Sequence, residues 1–151
     1  MREPPQVLVD LIKTSEGFHR VVQRKPVLTA VPYLCPAGFW TRGYGVLCDK
    51  NAGPITLEQG EIELTTILPR YIASALRYSP CLLLESDGRF SGVVDFVFNL
   101  GPGRYASSTL RRCVNAGQWE RAKTEVLRWV WGGGRKLPGL VIRREADAAL
   151  F

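Results

Sequence analysis

The sequence predicts an α+β fold, with a small N-terminal lobe that contains an antiparallel β-sheet and a larger helical C-terminal lobe joined to it by a long helix. Residues 18–48 are rich in β-branched and aromatic side chains and are interrupted by Pro and Gly, which is typical of short strands and tight turns. Most of the later chain instead carries apolar side chains at helical spacing. Its 151 residues suit a single domain. We expect one lobe at about residues 13–56, the other at residues 1–12 and 78–151, and the connecting helix at residues 57–77.

The first predicted element is a short amphipathic helix over residues 6–15, because Leu8 and Ile12 repeat at helical spacing. Gly17 stands where a glycine commonly ends a helix, so Glu16 is expected in or just after the last turn.

The long helix is predicted to begin at residue 57, because Thr56 and Gln59 form a capping-box pair. Pro69 is expected to kink it. Residues 132–134 are three successive glycines, which predict a flexible connection. The remaining apolar periodicities predict helices over residues 88–100, 107–115, 118–130 and 138–149.

The composition excludes several classes of protein. Apolar residues make up 46% and charged residues 23%, which argues against a disordered chain, a collagen or a coiled coil. No apolar stretch approaches the ~20 residues that cross a bilayer. The segment before Lys13 lacks the apolar core of a secretory signal, so we expect no signal peptide or transmembrane segment and a chain made and kept in the cytosol.

The chain is basic, with 20 Lys and Arg against 14 Asp and Glu and a net charge of +6. This balance favours polyanionic partners such as nucleic acid, an anionic membrane or a cell-wall polymer. The four cysteines lack C-x-x-C spacing and only one histidine, His19, is present. We therefore expect no metal site and no cofactor.

Glu16 is the first candidate for chemistry. A carboxylate at a helix C-terminus faces the negative end of the helix dipole, which disfavours its charged form. A carboxyl group that stays protonated near neutral pH can protonate a glycosidic oxygen. The alternative is an exposed glutamate that simply ends a helix.

The segment Tyr33–Gly45 predicts a strand, a Pro/Gly turn and a second strand, and it carries four aromatic side chains. Such a hairpin can be ordinary packing, or one wall of a groove for sugars, since flat rings suit pyranose faces. Gly43-x-Gly45 is not a dinucleotide fingerprint, because no third glycine and no helix follow it.

Several motifs together resemble the phage-type lysozymes of glycoside hydrolase family 24. The resemblance covers nearly the whole chain, in order and spacing. It rests on Glu16-Gly17, Tyr33-Leu34-Cys35, Trp40-Thr41-Arg42-Gly43-Tyr44-Gly45, Phe96-Val97-Phe98-Asn99-Leu100-Gly101, Ser107-Ser108-Thr109-Leu110 and the segment from Leu137 to Ala146.

The resemblance implies a lysozyme-like fold and three catalytic residues. Glu16 would be the general acid, Cys35 stands where the family has Asp or Cys, and Thr41 stands at the position of the catalytic threonine. As a thiolate, Cys35 could activate water or attack the anomeric carbon, and its alternative is a small inert cysteine. Thr41 could hold a water or a sugar hydroxyl, or be an ordinary strand threonine.

Three further residues are implied as substrate-binding. Phe98 and Asn99 would lie at a helix end facing the substrate, with core packing and helix capping as their alternatives. Arg144, or its neighbour Arg143, matches an arginine that pairs with the catalytic glutamate.

Two departures from the family pattern stand out. An insertion at about residues 19–31 separates Glu16 from Cys35, and it suggests an enlarged loop or additional strands. Val46 replaces a histidine that is common in the family, which affects packing more than chemistry.

The resemblance implies an endolysin that hydrolyses the β-1,4 bond between N-acetylmuramic acid and N-acetylglucosamine in bacterial peptidoglycan and lyses the host cell. Such a protein would be a monomer in the host cytoplasm that reaches the wall through a separate pore such as a holin. One alternative is a catalytically inactive peptidoglycan-binding or structural descendant of the same fold. The other is a nucleic-acid-binding protein, which only the charge suggests, and we expect no nucleic-acid partner.

Overall fold

The computed structural model describes residues 2–35 and 37–151, and Pro36 of the predicted hairpin turn lies outside them. It is an α+β fold, as predicted. The helices within these residues are α1 (Gln6–Glu16), α2 (Leu57–Tyr78), α3 (Asp87–Leu100), α4 (Pro102–Ser107), α5 (Thr109–Asn115), α6 (Trp119–Val126) and α7 (Pro138–Ala149), with a 3₁₀ turn at Pro80–Leu83. The strands are β1 (Val21–Gln23), β2 (Thr29–Ala30), β3 (Tyr33–Leu34), β4 (Trp40–Arg42), β5 (Val46–Leu47), β6 (Ile55–Thr56), β7 (Trp131–Gly132) and β8 (Arg135–Lys136).

The chain divides into two compact units. One is formed by residues 12–68, and the other by residues up to 11 together with residues 69–151. The first unit holds strands β1–β6, and the second holds helices α3–α7 and the hairpin of β7 and β8.

Two small antiparallel sheets build the first unit. The predicted insertion forms β1 and β2, and β2 also pairs with β6 in the register Ala30↔Ile55. The second sheet has the order β3-β4-β5, with Tyr33 opposite Thr41. The insertion is therefore strand structure and not only a longer loop.

Helix α2 begins where the sequence predicts. The Thr56 hydroxyl accepts a hydrogen bond from the Gln59 amide (3.1 Å), and the Gln59 side chain accepts one from the Thr56 amide (2.8 Å), which is a complete capping box. The helix continues through Pro69 to Tyr78.

Three predicted elements differ in the structure. The helix predicted over residues 107–115 begins at Thr109, because Ser108 is extended (ψ 154°) and its hydroxyl caps α5 by accepting from the Arg111 amide; the separate helix α4 before it was not predicted. The helix predicted over residues 118–130 ends earlier, at Val126. Residues 132–134 are not a flexible connection, since Gly133 and Gly134, both at positive φ, turn the chain between β7 and β8.

The core of the second unit combines aliphatic side chains with several aromatic pairs. Phe96 makes an edge-to-face contact with Trp129 at 5.2 Å between ring centroids, and Trp119 makes another with Phe151 at 5.4 Å. Helix α3 is the centre of this core, because its residues from Phe90 to Val97 are all buried. None of the described helices is both long enough and apolar enough to span a bilayer.

Candidate active site

Glu16 is the last residue of α1, as the sequence predicts. It belongs to the first unit. Gly17 ends the helix with φ +68°, and its amide donates to the Lys13 carbonyl at 2.9 Å. The half-buried Glu16 carboxylate lies directly against Gly45, where a β-carbon would be 2.7 Å from its Oε2. Only a glycine allows this approach.

The β3–β4 hairpin carries Cys35 and Thr41. The Cys35 amide donates to the Phe39 carbonyl at 2.9 Å, and its own carbonyl accepts from the Gly38 amide at 2.8 Å, so Cys35 begins a tight turn. Its thiol is free and half-buried. This turn places Cys35 at the end of β3, on the same hairpin as Thr41.

The pKa of the Tyr33 phenol depends on the predicted catalytic side chains. Burial raises the pKa of its phenol, the Thr41 hydroxyl lowers that pKa, and the negative charges of Glu16 and Cys35 raise it. Groups that act on one phenol in this way share one neighbourhood. Thr41 lies opposite Tyr33 in the β3–β4 ladder and Cys35 follows Tyr33 by two residues, and Glu16 is close enough for its charge to act on the Tyr33 phenol.

The Thr41 hydroxyl is buried but retains hydrogen-bonding capacity. Thr41 is 4% exposed, and its polar neighbour is the Tyr33 phenol. Within residues 2–35 and 37–151, Thr41 Oγ1 forms no hydrogen bond of ordinary length and angle. Because a buried hydroxyl without such a bond is costly, a water or a substrate group is a natural partner for it.

A second group of side chains holds the Gly43–Gly45 turn against the end of α1. Lys13 forms an ion pair with Glu61 on α2, and its ammonium lies 5.5 Å from the centre of the Tyr44 ring. Phe18 contacts the other side of Tyr44, with 5.6 Å between ring centroids. Burial is the main cause of the raised pKa of the Tyr44 phenol. We call Lys13, Phe18, Tyr44 and Glu61 the turn clamp.

Arg42 fixes the strand that carries Thr41. Its guanidinium forms a two-point ion pair with Glu63 on α2, and it donates to the Gly53 carbonyl at 3.0 Å. The Glu63 hydrogen bond is the main cause of the raised pKa of Arg42. Sequence analysis missed Arg42 and the turn clamp, although the paired acids Glu61 and Glu63 at the start of α2 were a possible signal.

The insertion contributes one aromatic side chain here. The exposed His19 imidazole makes an edge-on contact with the Tyr33 ring at 5.4 Å between centroids. No cluster of His, Cys, Asp and Glu with the arrangement of a metal site occurs among the residues that the structure describes.

The predicted substrate-binding residues lie in the second unit. Phe98 and Asn99 are half-buried near the end of α3, and the Phe98 ring contacts that of Tyr71 at 4.9 Å. Asn99 Oδ1 is buried and, in the described part of the chain, accepts no hydrogen bond. Sugar binding by these two residues stays a prediction.

Arg144 is fully buried on α7, in an ion-pair network. It lies 2.9 Å from Asp147 and 3.5 Å from Asp95, and Arg143 binds Asp95 through two hydrogen bonds of 2.8 Å. Burial, reinforced by the charge of Asp95, raises the pKa of Asp147, and Arg144 lowers it. Arg144 therefore has a structural role in this network, and both its predicted substrate contact and its pairing with Glu16 stay predictions.

Comparison with known proteins identifies the family. The family model described as phage lysozyme matches residues 25–147. The chain is 33% identical over 142 residues to an endolysin of Acyrthosiphon pisum secondary endosymbiont phage 1, covering 91% of this chain and 96% of that protein. The chain belongs to the phage lysozyme family. This phage lysozyme is therefore a glycoside hydrolase that acts on peptidoglycan, and the inactive alternative is not favoured.

Two further proteins are similar to this chain, one in sequence and one in fold. The lysozyme is 32% identical over 149 residues to an endolysin of Bacillus phage B103, covering 97% of this chain but 52% of that protein. The muramidase domain of SpmX from Asticaccaulis excentricus has the same fold, with a TM-score of 0.81, 24% identity and coverage of 100% of this chain and 98% of that one. The family match includes Cys35 and Thr41 but begins after Glu16, so the role of Glu16 stays a prediction of the sequence resemblance, to which its position in the structure adds support.

Proposed function

We propose that this lysozyme cleaves the β-1,4 bond between N-acetylmuramic acid and N-acetylglucosamine with Glu16 as the general acid, and that it serves as an endolysin in host-cell lysis. One observation carries the proposal. The Glu16 carboxylate is held at the end of α1 against Gly45, within the neighbourhood of Tyr33 that also contains Cys35 and Thr41.

The acid step needs a carboxyl group in a fixed position. Protonation of the glycosidic oxygen by Glu16 gives the leaving sugar its hydroxyl proton, while positive charge develops at the anomeric carbon. Gly45 on one side and the end of α1 on the other restrict the carboxyl group, and the turn clamp holds Gly45 in place. Positioning of the proton donor is the main contribution of this arrangement.

Cys35 and Thr41 are proposed to act at the anomeric carbon. In one route Thr41 Oγ1 holds the attacking water, which transfers a proton to the Cys35 thiolate as its oxygen bonds to the anomeric carbon. In the other, the Cys35 thiolate forms a thioglycoside that water then hydrolyses, with Glu16 accepting the proton of that water. The first route inverts the anomeric configuration and the second retains it, so NMR of the first product formed distinguishes them.

The route to the wall is also a proposal. We infer a cytoplasmic stage, as a monomer, followed by passage through a membrane pore such as a holin. Cells that express the lysozyme alone should stay intact until chloroform permeabilises the membrane. Lysis without permeabilisation would contradict this inference.

Product analysis tests the proposed bond. Peptidoglycan digested by the lysozyme is reduced with borohydride and hydrolysed, and the reduced sugars are identified by mass spectrometry. We expect the reduced form of muramic acid to increase, and the Glu16→Gln variant to leave it at background. An increase in reduced glucosamine, or release of peptides without new reducing ends, would contradict the proposal.

A further inference from the structure

We propose that the β7–β8 hairpin and the start of α7 form a docking surface for anionic phospholipid bilayers. The surface consists of Trp131, Arg135, Lys136, Pro138 and Ile142, and we call it the basic-aromatic surface. It lies wholly within the second unit and shares no residue with the catalytic neighbourhood.

The hairpin presents its aromatic residue to solvent. Trp131 is 64% exposed and lies directly opposite Lys136 in the β7–β8 ladder. The turn between them consists of Gly133 and Gly134, where a β-carbon would meet no heavy atom within 4 Å. A tip without side chains can approach a flat surface closely.

An open apolar groove continues the surface onto α7. The groove has a volume of about 350 Å³ and is lined by Lys136, Pro138, Val141 and Ile142. Ile142 is 69% exposed. Lys136 lines the groove and lies opposite Trp131 in the β7–β8 ladder, so it connects the groove with the hairpin.

The segment that forms this surface carries only positive charges, and the nearest acid that follows in sequence is the exposed Glu145 on α7. No Asp or Glu occurs between residues 126 and 144. Arg143 and Arg144 are buried in the ion-pair network, and Arg128 lies 3.3 Å from Glu125. Arg135 and Lys136 are exposed, and neither forms an ion pair within residues 2–35 and 37–151.

This combination fits a bilayer better than a soluble polyanion. A nucleic acid or a wall polymer would engage Arg135 and Lys136, and its bases or sugar rings can stack on Trp131, but it would leave Ile142 and the apolar groove in water. At a bilayer surface the indole lies at the headgroup level, the isoleucine side chain reaches the acyl boundary, and the cations meet lipid phosphates. At a bilayer, therefore, the cations gain anionic partners and the apolar side chains leave water.

Vesicle flotation of the full-length lysozyme tests the proposal. The vesicles contain equal parts of phosphatidylglycerol and phosphatidylcholine, or phosphatidylcholine alone. We expect binding to the anionic vesicles that weakens as salt is added. Each of Arg135→Gln and Lys136→Gln should lower the partition coefficient about fivefold, and Trp131→Ser should lower it as well.

Two matched variants control for general effects. Leu84→Ser removes an apolar side chain that is 92% exposed elsewhere in the same unit, and Arg121→Gln removes an exposed cation from α6. Both should bind as the unaltered protein does. Equal binding to neutral and anionic vesicles, or equal losses in the control variants, would overturn the proposal. So would binding to purified peptidoglycan or DNA that depends on Trp131 while vesicle binding is absent.

Discussion

The Glu16 carboxylate and the Gly45 backbone are in direct contact, so close that a β-carbon on Gly45 would lie 2.7 Å from Glu16 Oε2. Gly45 also has φ +78°, a conformation that side-chain-bearing residues rarely adopt. The second glycine of the Gly43-x-Gly45 motif is therefore required both by its own backbone and by the position of the acid.

Replacement of Gly45 by alanine should displace the carboxylate. We expect Gly45→Ala to lower the rate of wall hydrolysis about 100-fold, because a shift of about 1 Å in a catalytic group has that effect. Gly117→Ala is the matched control, since Gly117 lies in the second unit and has φ +66° and nothing within 4 Å of the added carbon. Both variants should lose roughly 1–2 kcal/mol of unfolding free energy, but only the first should lose activity. Equal activity in the two would show that the contact does not matter for catalysis.

Substitution of Thr41 should affect the hydrolytic activity without lowering the unfolding free energy. Its buried hydroxyl makes no ordinary hydrogen bond within the described residues, so Thr41→Val should leave the unfolding free energy unchanged or raise it by about 1 kcal/mol. If the hydroxyl binds the attacking water or the substrate, activity should fall about 100-fold, and Thr41→Ser should retain part of it. Turbidity assays and thermal melts measure both quantities. Full activity in Thr41→Val would mean that the hydroxyl is dispensable.

Cys35 can be compared with Cys48, a second half-buried free cysteine next to the same sheet. Burial raises the pKa of the Cys48 thiol, which leaves it less thiolate at neutral pH. We expect Cys35→Ala to lower the hydrolysis rate at least about tenfold, and Cys48→Ala to preserve it. The opposite ranking, or no effect of either change, would remove Cys35 from the mechanism.

The raised pKa of Asp147 predicts that the unfolding free energy depends on pH. Because its pKa in the folded state is above its ordinary value of 3.8, the folded protein keeps a proton that the unfolded chain releases. The unfolding free energy should therefore fall as the pH rises from about 4 through the raised pKa, and Asp147→Asn should lack this contribution. The melting temperature of the variant, relative to the unaltered protein, should increase from acid to neutral pH. A relative decrease would mean that Arg144 keeps Asp147 ionised.

Local signals in the sequence predicted most of the helices and strands. The capping box gave the start of α2, and Gly17 gave the end of α1 next to Glu16. The three successive glycines at residues 132–134 misled the prediction, because glycine suits a tight hairpin turn as well as a flexible connection.

The features that could not be predicted depend on contacts between distant residues. The turn clamp joins Lys13 to Glu61 and Tyr44, and no pattern in the sequence relates these positions. The burial of Arg144 is a second example. The family resemblance placed it among the substrate-binding residues, and nothing in the sequence showed that the fold surrounds it with Asp95 and Asp147.

The central claim is that Glu16 is the general acid. A lysis assay on permeabilised Gram-negative cells with the Glu16→Gln variant decides it. Glu58→Gln is the matched control, because Glu58 is an exposed glutamate in the first turn of α2. With both variants folded, we predict that Glu58→Gln clears the suspension at the rate of the unaltered lysozyme and that Glu16→Gln does not clear it. Clearing by Glu16→Gln at an undiminished rate would contradict the assignment of Glu16 as the general acid.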